Sequence, residues 1–423
     1  MPRGVPKGRL ERAARLARMG AGAGLGWLTG KSTESLAEQA ALTLSSLRGL
    51  AAKVGQMASS VEGVLPESIE GPFAAALSQL RDQTQTSALA EVTEVIEREL
   101  GRTLADSFAV FDAAPIASAS IGQVHRAVLF DGREVAVKVQ HPGIDEAIGN
   151  DLSNVRMLER LVGSVMPQGL EPDRVFQEVA NRLRDELDYR LEAQALVAFS
   201  SLHEADPNVC IPTVISSHSG RRVLTTELLR GKKLQDVLLD ASAEERRQYA
   251  ETLWRFVFRS VLVGGRFNAD PHPGNYLFAE APRICFLDFG CVQELSEGRR
   301  LAARRVHLAA IERDDKAFAL GVRALLNSKG GPYEDFSLQF TRRAFEPVFR
   351  SPFRITSEYL RGLVTFASEA KVKLLVDRKS AFAFPPELAL MNRLQFGFYS
   401  LLSKLDVQVD YAALERDILV AST

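Results

Sequence analysis

Four short stretches of the chain hold residue types that chemistry uses. Val135-Ala-Val-Lys138 is an apolar strand ending on a lysine. Asp185-Glu-Leu-Asp-Tyr-Arg-Leu-Glu192 crowds carboxylates into a helical stretch whose expected buried stripe is Leu183, Leu187 and Leu191. Asn268-Ala-Asp-Pro-His-Pro-Gly-Asn275 holds Asp270 and Asn275 on a loop stiffened by Pro271 and Pro273. Ile284-Cys-Phe-Leu-Asp288-Phe-Gly290 delivers an aspartate at the end of an apolar strand, with Gly290 expected to free the turn. Each also has a plain structural reading: a snorkelling edge-strand lysine, a solvated helix face helped by Arg184 and Arg190, a Pro/Gly turn, and a strand terminus.

Their order favours chemistry. Phosphoryl transfer from ATP uses a lysine on the α/β-phosphates, a glutamate to hold it, an Asn and an Asp on Mg2+, and a loop Asp near the acceptor. Kinase loops place that Asn five residues after that Asp, and Asp270 and Asn275 keep this spacing. Asp188 and Glu192 are four apart, so on one helix they repel unless a metal or a lysine from elsewhere compensates. His272 sits inside the loop without a neighbouring histidine, which favours a structural or hydrogen-bonding role over a metal.

Elements must position these groups. Apolar residues at three- and four-residue steps predict a helix over 32–60, with Lys53 and Gln56 on one face. A second helix runs over 88–100 and is closed by Gly101. Two β-rich runs around Asp131-Gly132 predict a hairpin. Residues 173–202 read as helix, 208–214 and 222–228 as short strands. From 243 the chain is mainly helical, interrupted by strands at 276–278 and 283–287. The outline is a β-containing lobe followed by a helical lobe.

Composition sets the outer limits. With 423 residues, 46% of them hydrophobic and 25% charged, the chain is of globular type and long enough for two or three domains. Lys plus Arg is 52 and Asp plus Glu 53, which argues against nucleic acid as a partner on charge alone. Three cysteines make no disulfide scaffold. No apolar run approaches a membrane span; residues 387–405 are apolar in patches but carry Arg393 and Lys404. Arg3, Lys7, Arg9, Arg12, Arg15 and Arg18 face one acid, Glu11, in a basic arm that reads either as a solvated terminus or as a contact to an anionic membrane. Arg299, Arg300, Arg304 and Arg305 read first as a solvated helix face and second as an anionic-lipid contact. Near-matches to phosphate-binding glycine motifs at Gly22 and Gly30 each miss a required glycine and follow no strand.

At this point the sequence resembles the UbiB/AarF family of atypical kinase-like ATPases, which includes the coenzyme Q biosynthesis branch. The family's KxGQ element is matched by Lys53-Val54-Gly55-Gln56, its Ala-rich nucleotide loop by Ala117-Ser118-Ala119-Ser120, and its ExD element by Glu186-Leu187-Asp188. The resemblance places the lysine-pairing glutamate at Glu192, the catalytic-loop pair at Asp270 and Asn275, and the metal aspartate at Asp288. It also places the adenine hinge at the end of 223–228, on Glu227 and Leu228. It implies that Lys53 on the KxGQ helix pairs with the Glu186/Asp188 region over the pocket.

The implied architecture is α+β, a two-lobed atypical protein-kinase-like fold. Its parts are a basic N-terminal arm (1–30), a helical KxGQ extension (31–104), an N-lobe with inserted helices near 150–165 (105–230) and a mainly helical C-lobe (231–423). The implied cofactors are ATP and Mg2+, and the implied activity is slow ATP hydrolysis serving isoprenoid quinone or lipid metabolism. An isoprenoid lipid or quinone precursor is the expected partner, and a cytoplasmic location peripheral to the inner membrane the expected place. Two alternatives stand beside it: a phosphotransferase with Asp270 as base toward a small-molecule or protein hydroxyl, and a lipid-binding scaffold gated by nucleotide. Departures from the kinase pattern are Asn268-Ala269 in place of His-Arg and the absence of Ala-Pro-Glu after Asp288. The second makes a peptide-docking segment unexpected.

Overall fold

A computed structural model describes residues 86–119, 121–146, 181, 184–280, 282–328, 330–376 and 390–421. The basic arm, the helix over 32–60 with Lys53, Gly55 and Gln56, Ser120, Leu183 and the inserted helix near 150–165 lie outside the described residues.

The first helix, α1 (Leu89–Leu100), buries Val92, Val95 and Ile96, and Gly101 ends it in the left-handed region at φ 68°. Both features match the sequence reading. The strands β1 (Val110–Ser118), β2 (Gly122–Val128) and β3 (Glu134–Gln140) follow. The expected hairpin joins β2 to β3, with Gly132 at φ 86° supplying the turn. Then come α2 (Tyr189–His203), β4 (Val209–Cys210) and β5 (Val223–Glu227). The antiparallel sheet runs β1-β2-β3-β5, so β3 is an interior strand. Lys138 lies opposite Val124 on one side and Leu224 on the other, which removes the edge-strand reading of this lysine. Val135, Val137 and Val139, alternating along β3, pack with α1 residues in one small core. The sequence boundary at 104/105 therefore falls inside this lobe, because α1 shares its core.

The second lobe is helical. It contains α3 (Leu234–Asp240), α4 (Ala243–Leu262), α5 (Glu297–Ile311), α6 (Asp315–Leu326), α7 (Pro332–Ala344), α8 (Ser357–Val376), α9 (Met391–Leu405) and α10 (Tyr411–Val420). Ser242 starts α4 with a capping box: its hydroxyl accepts from the Glu245 N–H, and the Glu245 carboxylate accepts from the Ser242 N–H. Trp254 on α4 is fully buried and packs on Tyr411 of α10, with ring centroids 4.1 Å apart. The strands β6 (Arg266–Asn268), β7 (Tyr276–Phe278), β8 (Ile284–Phe286) and β9 (Val292–Glu294) form two small sheets, β4-β8-β7 and β6-β9.

Three details differ from the sequence reading. The strand expected over 208–214 shrinks to Val209–Cys210 plus a single bridge from Val214 to Thr226. The helix expected over 173–202 breaks at Asp188, whose extended backbone (φ −124°, ψ 90°) caps a new helix. Asp accepts a helix N-terminal N–H well, and that satisfied donor makes the break favourable. The basic cluster is not simply a solvated face. Arg299 donates to the Leu325 carbonyl, Arg300 to that of Leu262, and Arg304 to those of Leu262 and Leu419, while Arg305 is exposed.

Candidate active site

Lys138 reaches from the middle of β3 to Glu192 on α2, with Nζ 2.8 Å from both carboxylate oxygens. The Asp288 Oδ2 lies 3.4 Å from the same nitrogen. Glu192 is 6% exposed and Lys138 16%, so the pair is shielded from water. Burial works against the ammonium, but the Asp288 and Glu192 carboxylates outweigh it and hold the Lys138 pKa well above the ordinary lysine value. The Tyr189 ring lies 5.2 Å from Nζ and adds a cation–π contact.

The break at Asp188 sorts the acidic stretch. Asp188 turns to Arg190, accepting from both its N–H and its guanidinium, and this holds the Asp188 pKa below the usual carboxylate range. Glu192 turns inward to Lys138. The predicted repulsion between the two on one helix face does not arise, because Asp188 is a cap. Leu187 is buried as expected, but Leu191 is 45% exposed and not part of a buried stripe. Glu186 is half-buried in the turn before the cap, and its charge adds to the upward push that burial exerts on Glu192.

The loop between β6 and β7 is built around side-chain amides. Asn268 Nδ2 donates to the Asp288 carbonyl at 2.6 Å, and its Oδ1 accepts from the Asp270 N–H at 3.0 Å. Asn275 Nδ2 donates to the Asp270 carbonyl and to its Oδ2. The Leu287 N–H donates to the Asn275 carbonyl, stitching this loop to the strand that delivers Asp288. His272 Nδ1 accepts from the Gly274 N–H, the hydrogen-bonding role expected of it.

Gly290 serves differently from expectation. Its φ is outside the left-handed region; what matters is close approach. Its N–H donates to Asp288 Oδ1 at 2.8 Å, and a Cβ there would lie 3.2 Å from that oxygen and 3.7 Å from Glu192 Oε2. Phe289 is buried against Phe199 of α2, ring centroids 4.7 Å apart, so Asp288 and Glu192 are positioned by one aromatic contact.

The turn between β1 and β2 forms a rim. Ala117 and Ser118 end β1 and are exposed, and Ala119 exchanges backbone hydrogen bonds with Gly122. At Gly122 a Cβ would meet the Val139 carbonyl oxygen at 2.2 Å and the Tyr189 hydroxyl at 2.8 Å, so only glycine lets β2 close here. Glu227 ends β5 and Leu228 follows it, with the Leu228 N–H donating to the Glu134 carbonyl.

Two contributors were missed by sequence reasoning. Asn268 carried a signal, an amide two residues before Asp270. Arg393 carried none: it comes from α9, and its Nη2 donates to Asp270 Oδ1 at 2.6 Å. One turn later Gly397 faces Pro271, where an added Cβ would lie 2.6 Å from the ring.

A magnesium ion fits this donor set. Asp288 is 36% exposed and presents oxygens beside Lys138, and Asn275, with its amide nitrogen on Asp270, has its oxygen left for coordination. Two protein oxygens suit an ion that keeps waters and phosphates as its other ligands. Among the described residues no cluster of three or more His, Cys, Asp or Glu could hold a metal, nor is any helix long and apolar enough to cross a membrane.

Residues 79–320 match the ABC1 atypical kinase-like domain. The chain is 30% identical over 390 residues to the probable protein kinase UbiB of Xylella fastidiosa (strain 9a5c), covering 89% of this chain and 68% of that one. It is 28% identical over 379 residues to the mitochondrial atypical kinase COQ8 of Saccharomyces cerevisiae, covering 88% and 74%. A solved complex of Rv3197 with erythromycin from Mycobacterium tuberculosis superposes with a TM-score of 0.62 at 26% identity, covering 97% of this chain and 98% of that one.

Proposed function

The chain belongs to the ABC1 atypical kinase-like family, and from that premise we propose that it binds Mg-ATP, hydrolyses it slowly and supports isoprenoid quinone biosynthesis. The observation that carries the nucleotide reading is the convergence of Lys138, Glu192 and Asp288 between the lobes. Lys138, fixed by Glu192, would neutralise the α/β-phosphates. The backbone at Ala117–Ala119 would cover the phosphates, and the chain end of β5 at Glu227 and Leu228 would face the base. Asp288 and Asn275 would hold magnesium, which supplies charge neutralisation at the β/γ-phosphates when bound. The quinone reading is supported by the family's UbiB and COQ8 members.

The slow turnover is what the family resemblance implies. Asp270 is held on both carboxylate oxygens, one accepting from Arg393 and the other from Asn275. The alternative reading, phosphotransfer with Asp270 as base, would use this same held carboxylate. A peripheral anionic-membrane contact through the basic residues between Arg3 and Arg18 completes the proposal. An isoprenoid lipid or quinone precursor is the partner it expects.

Thermal stabilisation and phosphate release, with and without Mg-ATP, test the reading on the wild type and Asp288→Asn. Stabilisation by Mg-ATP that the variant loses supports it. No response of the wild type to Mg-ATP overturns it. The same phosphate-release assay with and without anionic liposomes tests the membrane part, where an unchanged rate and no co-sedimentation would reject it.

A further inference from the structure

The helical lobe holds a partly open cavity of about 200 Å³ between α4, α5, α7, α9 and α10. Apolar side chains, the aromatics Phe258, Phe340, Phe345 and Phe398 among them, make most of its wall. A void of this size lined only by such groups would be a dry packing defect. This one is not lined only by them.

Three polar atoms on the same wall are buried without a hydrogen-bond partner: Trp254 Nε1, Ser337 Oγ and Glu415 Oε1. Trp254 and Glu415 are 0% exposed and Ser337 is 5% exposed. Buried polar groups are almost always paired, so three orphans around one cavity need a cause. The Glu415 carboxylate is held by its other oxygen, which lies 2.8 Å from His307 Nδ1. Oε1 is thus a fixed acceptor in search of a donor. Trp254 can only donate. A hydroxyl group supplies both complements at once. Glu415 on the wall disfavours an anionic occupant, and the Arg393 guanidinium on the same wall disfavours a cationic one.

We propose that this cavity binds a neutral, mostly apolar small molecule carrying a hydroxyl group, which donates to Glu415 and accepts from Trp254. The site is separate from Lys138 and Asp288 and does not rest on the nucleotide reading. It shares one residue with the catalytic loop, because Arg393 lines the cavity and also holds Asp270.

The test uses the full chain without nucleotide and two probes of matched shape, 2-naphthalenemethanol and 2-methylnaphthalene. Calorimetry reads affinity. Fluorine NMR of 5-fluorotryptophan-labelled protein reads the site, since the chain has two tryptophans, Trp27 and Trp254, and Trp27→Phe assigns the signals. The expected result is a shifted Trp254 signal and an affinity for the alcohol at least tenfold above that for the hydrocarbon. Glu415→Met should abolish the preference, and Ala367→Phe, which fills the cavity from α8, should abolish binding of both. Should Glu415→Met fail to fold, Ala367→Phe with the Trp254 signal decides. Equal affinity for the two probes, or an unmoved Trp254 signal, overturns the proposal.

Discussion

Arg393 on α9 donates to Asp270 of the β6–β7 loop at 2.6 Å, across 123 residues of sequence. Both side chains are mostly buried, 14% and 19% exposed, so the bond is charge-assisted and sheltered. Removing one partner leaves the other charge poorly compensated. Arg393→Ala should lower stability by about 1.5–3 kcal/mol, read by urea denaturation. Arg393→Lys, which keeps the charge but not the planar fork, should recover only part of it. An unaltered midpoint for Arg393→Ala would show the pair to be incidental.

Gly397 admits Pro271 to the surface of α9. In most helix interiors Gly→Ala gains about 1 kcal/mol from propensity. At Gly397 the new Cβ would sit 2.6 Å from the proline ring, and overpacking of this kind costs about 1–3 kcal/mol. The clash should win, so Gly397→Ala should destabilise. Gly362→Ala in α8, where a Cβ meets nothing within 4 Å, should stabilise. Thermal denaturation of the two variants separates the effects by sign.

The buried Lys138–Glu192 pair should show strong energetic coupling. Breaking such a pair from one side costs about 3–5 kcal/mol, because a buried charge is left alone. Lys138→Met and Glu192→Leu should each destabilise, and the double variant should lose less than the sum by about 1–3 kcal/mol. A double-mutant cycle by denaturant titration reads this directly. Additive losses would mean that the two charges are solvated separately.

Stability should fall with acid through His203. This side chain is 2% exposed, bonded through Nε2 to Ser260 Oγ and stacked on Phe256. Burial, with Arg259 second, depresses its pKa from 6.5 to about 3. The unfolded chain therefore binds the extra proton first. Below the unfolded pKa of 6.5 the His203 contribution to stability is lost as pH falls, by about 1.4 kcal/mol per unit, until the folded pKa near 3 is reached. Denaturation of wild type and His203→Gln between pH 6.5 and about 4.5 (a range of about two units) should show a steeper loss in the wild type. Parallel curves would reject the assignment.

The parts of the site that local sequence determines were legible, and the parts that tertiary packing determines were not. Lys138, Asp270, Asn275 and Asp288 stand at fixed distances from prolines, glycines and apolar runs, and those neighbours set their backbone. The β2–β3 hairpin was legible for the same reason, since Asp131-Gly132 specifies its own turn. Asp188 was misread because a helical pattern does not show which polar residue interrupts it to become a cap. Arg393 was noted only as a charge within an apolar patch, since nothing near it in sequence foretells a partner in another lobe segment. The cavity was invisible for a similar reason: Trp254, Ser337 and Glu415 belong to three helices. Lys53, Gly55 and Gln56 lie outside the described residues, so the pairing expected of Lys53 stands on the resemblance alone.

The seating of α9 on the catalytic loop also sets a clock. During synthesis at about 5–20 residues per second, Arg393 and Gly397 are made some 6–25 s after Asp270. Through that interval the nascent chain already carries Lys138, Glu192, Asn275 and Asp288, yet the carboxylate of Asp270 has no arginine to hold it. A chain stopped before residue 391 would therefore keep Asp270 on Asn268 and Asn275 but lack the arginine that holds its second carboxylate oxygen.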